Sequence, residues 1–67
     1  MSVAKITEIS AVSSTSFEDA VKVGVARANK TLKNVTGAWV SEQKVSVADG
    51  EITGYQVTMR VTFILAD

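Results

Sequence analysis

From residue 55 to residue 65 the chain alternates without a break, with Tyr55, Val57, Met59, Val61, Phe63 and Leu65 on one side and Gln56, Thr58, Arg60, Thr62 and Ile64 on the other. A period of two belongs to a β-strand with one buried face. Any fold of this chain must therefore supply an apolar partner for that face. The opposite row of Gln, Thr, Arg and Thr suits hydrogen bonding to a ligand or a neighbouring subunit better than plain solvation.

At 67 residues the chain is one domain, residues 1–67. A core of this size rarely supplies more than about 3–5 kcal/mol without a further constraint. The sequence has no cysteine for a disulfide, no histidine for an imidazole site and no proline to stiffen loops. Self-assembly is the constraint that remains. A hydrophobic content of 46% against 21% charged points the same way, to apolar surface buried between copies in a homo-oligomer.

Seven basic residues balance seven acidic ones, so no global field gathers nucleic acid or an anionic membrane. Residues 1–11 hold Lys5 and Glu8 inside a short apolar pattern, unlike a signal peptide or a membrane span. The expected location is the cytoplasm. Without His or Cys, and with no diagnostic pair of carboxylate, lysine or tyrosine, catalysis has little support.

A first strand is expected over residues 3–12. The hydroxyl run Ser13, Ser14, Thr15 and Ser16 breaks it, and Ser16 with Asp19 three positions later resembles a capping box with a shortened acid. Phe17, Ala20, Val21, Gly24, Val25, Ala28 and Leu32 then recur at helical spacing. Gly24 in mid-helix costs about 1 kcal/mol relative to Ala, a cost that close approach of helix to sheet would explain. Lys30 and Lys33 suit the negative end of the helix dipole, and Asn34 suits a left-handed cap, so the helix ends near Lys33. A second strand over residues 35–47, the Asp49-Gly50 pair of a tight hairpin and the alternating strand complete a β-α-β-β order.

A two-residue loop at Asp49 and Gly50 pairs Ala48 with Glu51, Gln43 with Gln56, Val40 with Met59, Trp39 with Arg60 and Ala38 with Val61. Val40 and Ala38 then face the core, while Gly37, Trp39, Ser41 and Gln43 join Gln56, Thr58, Arg60 and Thr62 outside. Beyond Ser41 this register sends Glu42 and Lys44 inward and Val45 and Val47 outward, which a bulge near Gln43 would repair. Arg60 opposite Trp39 is placed for a cation–π contact or a salt bridge to another subunit. Arg27 is expected in an ion pair.

Three segments in fixed order, Thr15-Ser16-Phe17-Glu18-Asp19-Ala20, Ala26-Arg27-Ala28-Asn29-Lys30-Thr31-Leu32 and Tyr55-Gln56-Val57-Thr58-Met59-Arg60-Val61-Thr62-Phe63, together resemble the dodecin family. The resemblance implies an α+β fold in which a three-stranded antiparallel sheet partly wraps one amphipathic helix. It further implies twelve subunits in a hollow homododecamer, with flavin bound between subunits in many members. Gln56 matches the family glutamine whose amide binds the polar edge of the isoalloxazine ring. The family's Trp-x-Glu-Val pattern falls on Gly37-Ala38-Trp39-Val40, so Gly37 stands where the stacking tryptophan is expected and Trp39 where the glutamate is. Lys44 matches a position where related chains place a basic residue near a flavin phosphate.

The expected function is flavin binding, storage or sequestration, with riboflavin, FMN or FAD held by Gln56, Trp39, Gly37, Gln43 and Lys44. Each residue has a plainer reading: a subunit-contact glutamine for Gln56, an interface anchor for Trp39, a solvated lysine for Lys44. The alternative is a flavin-free shell of the same architecture stabilised by calcium or another ion. Glu42 is the metal-ligand candidate in that case, its carboxylate repeated about a symmetry axis.

Overall fold

The computed structural model describes residues 3–65, and within them the chain runs β1 (Ala4–Ser13), α1 (Phe17–Thr31), β2 (Val35–Ala48) and β3 (Glu51–Ile64). The strands form one antiparallel sheet in the order β1-β3-β2, so the alternating strand is central and donates to both neighbours. Val57, Met59 and Val61 are fully buried against the helix.

The helix reaches the sheet closely because its inner stripe is small. Ala20, Gly24 and Ala28, one turn apart, are its buried residues. Around them pack Ile9 and Ala11 from β1, Val40 from β2 and Phe17, Val21 and Val25 from the helix itself. The Phe17 ring meets Tyr55 edge-on at 5.2 Å, fixing the helix start over the central strand.

Ser16 caps the helix, its hydroxyl accepting from the Asp19 amide at 2.9 Å. The reciprocal arm of the expected capping box is replaced by a relay. The buried Ser13 hydroxyl donates to Asp19 Oδ2 at 2.6 Å and accepts from the Thr15 amide at 2.9 Å. The helix closes two residues earlier than expected, the Leu32 amide donating to the Ala28 carbonyl, and Asn34 takes the left-handed conformation (φ 62°).

Asp49 (φ 52°) and Gly50 (φ 77°) form the two-residue turn, whose positive φ at both positions matches the right-handed twist of the strands. Ala48 faces Glu51, Val40 faces Met59 and Trp39 faces Arg60, as the loop length implies. Between these points the register differs from expectation. A bulge at Ser41 places Gln43 opposite Val57 and Lys44 opposite Gln56, and the shift reverses at Thr53. The Ser41 hydroxyl donates to the Thr58 carbonyl at 3.1 Å, which satisfies a polar group at the irregularity. The bulge corrects the expected facing: Glu42 and Lys44 share the outer face with Thr58 and Gln56, while Val45 and Val47 turn to the helix side with Tyr55 and Ile52. Gln43, expected outside, goes with them.

Candidate functional site

Pairing across three strands lays the outer face out in rows: Val12, Gln56 and Lys44; Ser10, Thr58 and Glu42; Glu8, Arg60 and Trp39; Ile6, Thr62 and Gly37. Two different surfaces result. One is polar, a small cavity of about 130 Å³ walled by Glu42, Gln43, Lys44, Gln56 and Thr58. Here the Gln56 amide donates to the Ser10 hydroxyl at 3.1 Å. Gln43 keeps a part in this wall although its register position lies on the other side of the sheet.

The second surface is aromatic. Trp39 is 63% exposed, an unusual state for the largest apolar side chain on a polar sheet face. The Arg60 guanidinium lies over its ring, 5.0 Å from the centroid, and Arg60 Nε pairs with Glu8 Oε2 at 3.6 Å. Arg60 thus makes the expected cation–π contact, and its ion pair is with β1 of the same chain. Gly37, two residues from Trp39 on the same face, opens onto free space: an added Cβ would meet nothing within 4 Å.

The two surfaces lie four residues apart along β3, about 13 Å at strand rise. Gln56 and Trp39 of one chain are therefore not brought together, whereas Gln56 with Lys44, and Trp39 with Gly37, are. A flat molecule stacked on Trp39 finds a glutamine amide at its edge only if a second copy supplies it. The chemistry fits such a molecule: one indole face, an unfilled floor at Gly37, and an amide that both donates and accepts.

A family description named Dodecin matches residues 3–66. The chain belongs to the dodecin family. Solved structures agree: dodecin from Streptomyces davaonensis superposes with a TM-score of 0.94 at 33% identity, covering 98% of this chain and 97% of that one. A Thermus thermophilus dodecin variant gives 0.94 at 30% identity over 100% of both chains. A Mycobacterium tuberculosis protein described as a calcium-chelating immunodominant antigen, calcium dodecin, with a novel calcium-binding site, gives 0.82 at 32% identity, covering 96% of this chain and 91% of that one. No curated protein matches the chain.

Among the described residues of this dodecin no three acidic, His or Cys side chains gather as a metal site. Among the described residues no helix is long and apolar enough to cross a membrane. A feature not read from the sequence is the cleft of about 450 Å³ between β1 and α1, lined by Ile9, Ala11, Val23, Gly24, Arg27 and Ala28 among others. Arg27 lies in its wall and has no ion-pair partner among the described residues, contrary to expectation. The cleft exists because the small stripe that lets the helix approach β3 leaves room beside β1.

Proposed function

We propose that this dodecin is a cytoplasmic binding protein, without catalytic activity, that assembles as a homododecameric shell and holds a flavin where outer sheet faces of two subunits meet. The observation that carries the reading is the exposed Trp39 beside the open floor at Gly37, on the same sheet face as Gln56. Trp39 of one subunit stacks on the ring and Gln56 of another binds its polar edge. Lys44 lies opposite Gln56 and in this reading takes the phosphate of FMN or FAD. Stacking adds about 0.5–1.5 kcal/mol beyond burial of area.

Assembly is supported by exposed apolar side chains on both sides of the sheet. Ile6, Val12, Val23, Val47 and Ile52 are each at least half exposed in the single chain, more apolar surface than so small a core can leave in water without cost. The test is a titration of ligand-free protein into riboflavin, with native mass spectrometry for the subunit count. Quenched flavin emission at micromolar protein is expected. Unchanged emission overturns the flavin reading, and a stable monomer overturns the shell.

A second reading has one specific support, the 32%-identical relative whose description names calcium. Glu42 lies on the outer face opposite Thr58, where copies repeated about an axis would converge their carboxylates. A chelator that lowers the melting temperature, with recovery on adding calcium, would favour it.

A further inference from the structure

Glu8, Arg60 and Trp39 form one row across β1, β3 and β2, and each touches the next. The guanidinium covers one face of the indole, leaving the other to solvent. Its charge is matched by a carboxylate that reaches it from the strand on the far side. Resting on the reading of Trp39 as a ligand platform, we infer that Glu8, acting through Arg60, sets which flat molecules Trp39 accepts: one ring at a time, with anionic rings given no advantage over uncharged ones.

The physical reason lies in charge and in geometry. A guanidinium packed on an indole occupies the face on which a second ring would stack, so only the outward face remains. An unpaired Arg60 would also attract any anionic group beside Trp39. Across the indole, about 8–9 Å from the guanidinium, such a cation is worth about a two-fold gain for a singly charged ligand in water at low salt. Glu8 cancels that gain. The aromatic surface is left neutral, while Lys44, a cation of the outer face without an ion pair among the described residues, stands about 13 Å away along the strand. Glu8 is a positioning residue in this scheme; Trp39 is the contact.

Trp39 is the sole tryptophan, so its emission reports this surface alone. The experiment compares quenching of that emission by iodide and by caesium, then by lumichrome, an uncharged three-ring molecule, and by an aromatic sulfonate. Wild type, Glu8→Gln, Arg60→Met and the double variant are tested, with Glu8→Asp as the conservative control and assembly checked in each. At low salt, in Glu8→Gln the preference for sulfonate over lumichrome should rise about two-fold and the iodide-to-caesium ratio about three- to five-fold, because the anion gains what the cation loses. Glu8→Asp should resemble wild type, and the rise should be clearly smaller once Arg60 is Met. An equal rise in the Arg60→Met background, no rise at all, or a Trp39 that no ion reaches overturns the inference. Absence of lumichrome quenching with the ion ratio shifted as expected overturns only the ligand reading beneath it.

Discussion

A Cβ placed on Gly24 would lie 2.5 Å from Met59 Cε and 3.1 Å from Ala11 Cβ, so the middle of the helix rests almost directly on the middle of the central strand. Met59 Cε is the free end of a fully buried, flexible side chain and can shift, whereas the Ala11 Cβ is fixed to the β1 backbone and cannot. The helical cost of glycine is thus the condition for packing Val57, Met59 and Val61 under a single short helix.

Gly24→Ala should lower stability by about 1 kcal/mol net, because overpacking of about 1–3 kcal/mol outweighs the helix-propensity gain of about 1 kcal/mol. Shortening the contact with Met59→Leu in the same chain should recover most of the loss. Thermal melts of the two single variants and the double at one protein concentration give the coupling directly. Additive losses would mean that Gly24 and Met59 do not compete for space.

Ser13→Ala should cost about 1–3 kcal/mol, since it removes the acceptor of the Thr15 amide and the donor to Asp19 at a buried point. Hydrogen exchange at the Thr15 amide should accelerate in the native protein. Ser14→Ala, at an exposed neighbour in the same run, should leave both stability and exchange near wild type.

Gln56→Ala should separate binding from stability. The amide's partner in the single chain is the Ser10 hydroxyl on an exposed face, so the melting temperature should move by no more than about 0.5 kcal/mol equivalent. Flavin affinity should fall by about 1–3 kcal/mol if the amide pairs with the ring edge. Equal flavin titrations for both proteins would remove Gln56 from the site.

Gly37→Trp should be tolerated, because the space above it is open and its backbone is outside the positive-φ region. A second indole beside Trp39 should raise flavin affinity by about tenfold while the melting temperature holds or rises. A folded variant with no gain in flavin titration would show that aromatic surface at this end of the sheet does not limit binding.

What was legible in the sequence is what depends on near neighbours. The period of two over β3, the helical stripe from Phe17 to Leu32, the Ser16 cap, the left-handed Asn34 and the Asp49-Gly50 turn all rest on contacts within a few residues, and the order β-α-β-β follows from them. The turn set Ala48 opposite Glu51, and Trp39 still meets Arg60 because the slips at Thr53 and Ser41 lie on opposite strands and cancel. Tertiary structure alone decided where that register slips. The facing of Val45 and Val47 called for a bulge near Gln43; the structure puts the extra residue at Ser41, where its hydroxyl finds the Thr58 carbonyl across the sheet, and Glu42 and Lys44 move outside beside Gln56. In the same way Glu8 with Arg60 and Ser13 with Asp19 meet only once β1 and α1 pack on β3. Local backbone preference can name such groups but cannot pair them.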